Sequence, residues 1–89
     1  MRTVIIDAKN IATVAALQRY IQYLFDFPEH YGRNLDALYD MLSTLDRQTR
    51  VVLTGGAEAS ADLAAYLPRL AQVLGDAAAH NANLSVEIR

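Results

Sequence analysis

Three short apolar runs punctuate this chain, and between them leucines recur every three to four residues. The runs lie at residues 3–6, 50–54 and 84–88. The first two are continuous blocks, VII and VVL, the pattern of strands buried on both faces. The third, LSVEI, alternates apolar with polar residues, which predicts one wet face and an edge position. The first helical pattern carries Val14, Leu17, Ile21 and Leu24, with Asn10 as the expected N-cap. Pro28 and Gly32 interrupt it. Asn34 is the next cap, and Leu35, Leu38, Leu42 and Leu45 form one stripe behind it.

After the second strand, Gly55-Gly56 turns the chain into an Ala-rich region with Leu63, Tyr66, Leu67, Leu70, Val73 and Leu74 at helical spacing. Pro68 suits a first turn and clashes inside a helix, so the pattern predicts two helices, near 59–66 and 68–80. Asn81 is the expected left-handed C-cap. Gly75 either relieves a close helix contact or lets a partner approach Asp76. The expected fold is α/β: one domain over residues 1–89, a small three-stranded parallel sheet packed with about four helices. No linker, repeat or low-complexity tract divides it.

Composition narrows the function classes. The chain has 89 residues, 53% hydrophobic and 20% charged, with no Cys. Disulfides, thiol nucleophiles and thiolate metal sites are therefore excluded. The N-terminal apolar run stops at Asp7, too short for a signal peptide, and no stretch reaches the roughly 20 apolar residues of a membrane span. A cytoplasmic location is expected. The net charge is −2, but it is unevenly placed. Residues 26–46 hold five acids against Arg33 alone, a local balance of −4, while the remainder is +2. Such a patch disfavours direct nucleic-acid contact and suits a basic partner surface.

On a wheel at about 100° per residue, the four leucines of the second helix fall within roughly 80°. Asp36 and Asp40 point away from them, with Tyr39 at the border. The helix dipole favours Asp36 in the first turn, and Arg33 stands close in sequence. Asp40 lies beyond that turn, repels Asp36 by some tenths of a kcal/mol and is a poor helix former. The pair is read either as a solvated face or as a face that a cationic ligand would stabilise.

The stretch PEHYGRNLDALYDML, residues 28–42, resembles the signature segment of the barstar family, intracellular inhibitors of secreted ribonucleases. Pro28-Glu29, Tyr31-Gly32, Asn34-Leu35-Asp36-Ala37-Leu38, an aromatic at 39, Asp40 and Leu42 carry the resemblance. It extends more weakly to the first strand, to Ala71–Leu74, to the acid at 76 and to the last strand. The resemblance implies that this helix and the loop before it enter the active site of a nuclease. Asp40 would stand where the substrate phosphate lies, assisted by Asp36 and Asp76. His30 would stack on a catalytic residue, Tyr31, Gly32 and Asn34 would shape the contact, and Tyr39 would pack beside it. No cofactor is implied.

Four positions depart from the family pattern. His30 replaces a tyrosine, and imidazole can stack as phenol does while adding a pH-dependent charge. Arg33 puts a base where a well-known member has an acid. Tyr39 replaces a tryptophan, and Asp76 is one methylene shorter than the usual Glu. These changes leave open which partner is bound: a ribonuclease, or, for an immunity or adaptor module, a non-ribonuclease toxin or other basic protein.

Other chemistry fits less well. General-acid work at neutral pH needs a desolvated carboxyl, which a solvent-facing stripe does not supply, so the chain is not read as an enzyme. His30 and His80 are too few and too far apart to suggest a metal site. The Thr54-Gly55-Gly56 turn lacks the flanking Lys and the full spacing of a phosphate loop.

Overall fold

The computed structural model describes residues 1–89. In chain order they form β1 (Arg2–Asp7), α1 (Val14–Phe25), α2 (Leu35–Ser43), β2 (Thr49–Thr54), a 3-10 turn (Gly56–Glu58), α3 (Ala61–His80) and β3 (Leu84–Ile88). The strands pair in the order β1-β2-β3, both pairings parallel, with Val4 opposite Val51 and Val51 opposite Val86. This is the expected α/β class and sheet, with three helices and a single 3-10 turn in place of about four helices.

The missing division is at Pro68, which lies inside α3. Leu63, Leu67, Leu70, Leu74 and Ala77 form one buried stripe along that helix. Burying each aliphatic side chain contributes about 1.5–3 kcal/mol, whereas an internal proline costs about 3 kcal/mol. Continuity of the stripe therefore wins. Pro68 itself is exposed, as is Ala64, whose carbonyl the proline leaves without its helical donor. Water can satisfy that carbonyl.

One expected cap is reassigned and another takes a different conformation. Thr13, not Asn10, caps α1: its backbone is extended and its hydroxyl accepts a hydrogen bond from the Ala16 amide at 3.1 Å. Asn10 instead occupies a left-handed conformation, φ 74°, in the preceding turn, where asparagine is well tolerated. Asn81 is the C-cap of α3 as expected, its amide donating to the Ala77 carbonyl at 2.9 Å, but its backbone is extended, not left-handed. Its side chain is buried and reaches across to α2, a use that spacing along one helix cannot reveal.

One core holds the elements together. Val4 and Ile6 of β1, Val51 and Leu53 of β2 and Leu84 of β3 meet Leu17 and Ile21, Leu38 and Leu42, and the α3 stripe. All these strand residues share one side of the sheet, because alternate side chains point to opposite faces. On the other side Ile5 is 53% exposed. The expectation that β1 is buried on both faces is therefore corrected; only the central strand, with Val51, Val52 and Leu53 all buried, fits it. At the β3 edge, Glu87 is held below the ordinary carboxylate range by hydrogen bonds from Arg89 and then Arg50. No helix is long and apolar enough to cross a membrane.

Candidate functional site

The acidic helix is built as its pattern dictates. Asn34 has extended backbone, and its side-chain oxygen accepts from the Ala37 amide at 2.8 Å, which fixes the first turn of α2. Leu38 and Leu42 are fully buried. Leu35 and Leu45 are half-buried, at the margins of the same stripe. With that face locked, Asp36 and Asp40 are both exposed, and neither carboxylate has an ion pair or a side-chain hydrogen bond within the protein. Like charges one turn apart thus stand without a direct counter-ion.

The neighbouring arginines do not neutralise them. Arg33 adopts a left-handed backbone, φ 55°, and its Nε donates to Gln22 Oε1 at 2.9 Å. Gln22 Nε2 in turn donates to the Pro28 carbonyl at 2.9 Å. The charge of Arg33 is therefore steered towards α1 by a neutral amide, and the screening of Asp36 expected from sequence proximity takes no ion-pair form. On α3, the Arg69 guanidinium lies over the Tyr66 ring, 5.9 Å from its centroid, inside the roughly 6 Å limit of a cation–π contact.

The loop before α2 is anchored from below. Phe25 stacks on Phe27 at 5.0 Å, and Phe27 meets Tyr31 at 4.9 Å. The Tyr31 hydroxyl donates to Gln18 Oε1, and Gln18 Nε2 donates to the Tyr66 hydroxyl at 2.7 Å. Gln18 is buried, so both ends of its amide are satisfied by side chains from two other parts of the fold. Burial, and then the neighbouring Tyr66, push the Tyr31 phenol well above the ordinary tyrosine range.

The residues singled out from sequence thus divide. Asp36, Asp40, Asp76, His30, Gly32 and Asn34 are exposed and Tyr39 is half-buried. Tyr31 is buried, so its side chain belongs to the core and only its main chain is left for a partner. Gly32 is tight: an added Cβ would lie 3.3 Å from Ala37 Cβ and from Asn34 Nδ2. The Tyr39 ring is 6.4 Å from that of His80. Asp36 and Gln72 line one groove between α2 and α3, and Gln72 Nε2 donates to Asp76 at 2.9 Å, which links the third acid to the same side. His30 sits on the loop without a polar contact to these acids. Gly75 faces open space, so it relieves no helix contact.

Gln18, Gln22, Arg69 and Asn81 were not singled out for a site. Gln18 had a faint signal, a polar residue at the border of the apolar arc of α1, next to Phe25 on the wheel. No group of three His, Asp or Glu comes together as metal ligands would.

Comparison with known proteins identifies the family. The sequence profile of the family described as Barstar (barnase inhibitor) matches residues 1–89. A protein of Bacillus subtilis (strain 168) named "Putative ribonuclease inhibitor YrdF" is 33% identical over 78 residues, covering 86% of this chain and 86% of that one. Both descriptions are of inhibitors, not of enzymes.

Proposed function

Because this chain belongs to the barstar family, we propose that it inhibits a ribonuclease by stoichiometric binding. The exposed face of α2 and the loop before it would occupy the enzyme's active site. The carrying observation is the pair Asp36 and Asp40, exposed and without intramolecular partners on a helix whose opposite face is locked by Leu38 and Leu42.

A ribonuclease active site is a cationic concavity that holds phosphate. A carboxylate on a rigid helix enters it with little side-chain entropy to lose, and accepts charge-assisted hydrogen bonds from Arg or Lys. Asp40, free of the first-turn dipole benefit, is the central anchor. Asp36 and Asp76 add negative potential around it, and the two aspartates of α2 exchange mutual repulsion for attraction on binding. His30, the main chain of Tyr31 and Gly32, Asn34 and Tyr39 complete the contact surface. The mechanism uses no cofactor, and the acidic face repels RNA itself.

The test is a titration of ribonuclease activity with the purified chain. Barnase is one probe, and any ribonuclease that the immobilised chain captures from its source organism is the other. Inhibition saturating at one equivalent, and weakening as salt rises from 50 to 500 mM, is expected. Capture of a basic protein without ribonuclease activity would favour an immunity or adaptor role instead.

A further inference from the structure

The acidic face is not uniformly acidic. Arg33 from the loop, Asp36 from α2 and Arg69 from α3 line one groove, together with Val14, Asn34 and Tyr66. All three charged residues are exposed. No Asp or Glu carboxylate lies within ion-pair distance of either guanidinium, since the ion pairs of this protein are Lys9–Glu58, Arg50–Glu87 and Arg89–Glu87. Each guanidinium is instead held by a neutral group: Arg33 by the Gln22 amide, Arg69 by the Tyr66 ring. A neutral holder orients a charge without cancelling it. The positive end of the groove is therefore pre-positioned and unspent, beside an aspartate that could have quenched it and does not.

The cost of Arg33 points the same way. A left-handed backbone disfavours any residue with a Cβ, and glycine or asparagine would sit there more easily than arginine. The hydrogen bond to Gln22 uses only Nε of the guanidinium, so the rest of the Arg33 cation faces solvent with no acidic partner.

We infer that the partner of this face carries a carboxylate beside its cationic pocket, received between Arg33 and Arg69 while Asp40 enters the pocket. This rests on the inhibitor reading and deepens it by stating the partner's charge pattern. The surface then selects among basic enzymes: one with an acid at that rim gains bidentate hydrogen bonds from a guanidinium, and one with Lys or Arg there meets like charge and is rejected.

Charge reversal separates this from a purely acidic plug, because the two give opposite signs. Arg33→Glu and Arg69→Glu each make the inhibitor more negative. Against a basic ribonuclease lacking a rim carboxylate, they would speed association and tighten binding. With the carboxylate present, each raises the Kd at least about tenfold, mainly through faster dissociation. Kinetics would be measured on barnase and on the captured ribonuclease, with Asp40→Ala alongside and melting temperatures as the folding control. Unchanged or tighter binding of both arginine variants, with Asp40→Ala still crippling, overturns the inference and leaves the inhibitor reading standing. Should Asp40→Ala bind as wild type, or the native chain inhibit neither ribonuclease, both fall together.

Discussion

Asn81 Nδ2 lies 2.9 Å from the Leu42 carbonyl oxygen, so a buried amide just past α3 closes the C-terminal end of the acidic helix. The same nitrogen donates to the Leu45 carbonyl at 3.0 Å, and the Asn81 side-chain oxygen accepts from the Asn83 amide. One side chain thus stitches α2, the segment after it and the α3–β3 turn. Replacing Asn81 with Ala leaves these buried groups without partners and should cost about 2–3 kcal/mol. Urea denaturation would show a lower midpoint at constant slope. Asn81→Asp should be worse, since it sets a carboxylate against two carbonyls.

Gly55 is required where β2 ends. Its φ is +81°, and an added Cβ would stand 2.3 Å from Asp7 Oδ1 and 2.7 Å from the Lys9 backbone nitrogen. The Asp7 oxygen cannot move freely, because it accepts a hydrogen bond from that same Lys9 amide at 3.0 Å. Gly55→Ala should therefore destabilise the fold by more than about 2 kcal/mol. A melting temperature within a degree of wild type would contradict this.

Pro68 is tolerated by the fold but does not help it. Pro68→Ala restores a donor to the Ala64 carbonyl and should stabilise by about 1–3 kcal/mol. For a domain of this size each kcal/mol raises the melting temperature by about 4–8 °C. Calorimetry reads it directly. A lower melting temperature would mean that the exposed ring contributes packing that its surroundings do not suggest.

Stability and binding should separate within three residues of α2. Leu38→Ala removes a fully buried side chain and should cost about 2–5 kcal/mol of stability. Asp40→Ala, at an exposed and unpaired carboxylate, should stay within about 0.5 kcal/mol of wild type. Its effect on ribonuclease binding should be at least about 2–5 kcal/mol, the loss expected when one partner of a buried charge pair is truncated. Isothermal titration and denaturation of the same two variants check both halves. Loss of stability at Asp40 with binding intact would reverse the assigned roles.

Tyr31 makes stability depend on alkaline pH. Its phenol is raised well above the ordinary value of 10.0, first by burial and then by Tyr66. Above about pH 10 the unfolded chain releases this proton while the folded chain keeps it, so the unfolded state binds fewer protons and stability falls. The contribution is fully present below pH 10 and declines by at most about 1.4 kcal/mol per pH unit above it. Tyr31→Phe loses the hydrogen bond to Gln18 and should be less stable at pH 8. Its disadvantage should narrow between pH 10 and 11.5. Parallel pH curves for the two proteins would refute the coupling.

The parts of this protein legible in its sequence are those governed by neighbours three or four residues away. Asn34 caps α2 because its side chain meets the amide three residues on, and Leu38 and Leu42 are buried because one helical turn places them together. The same periodicity turns Asp36 and Asp40 outward. The alternation in LSVEI similarly marks β3 as an edge strand, and the segment over residues 28–42 carries enough identity to point to the family.

What only tertiary structure decided involves partners brought together from distant stretches of chain. Tyr31 is buried because Gln18 and Tyr66, 48 residues apart, form a polar junction beneath the loop. Asn81 ends its own helix as expected, but its side chain serves α2 across 39 residues. Pro68 fails to break α3 because the buried stripe on the opposite face outweighs one absent hydrogen bond. Arg33 and Arg69 share a groove with Asp36 only once three separate elements have packed. Local geometry fixes which way a side chain faces; whom it meets depends on how the helices settle on the sheet, where burial energy overrides local preference.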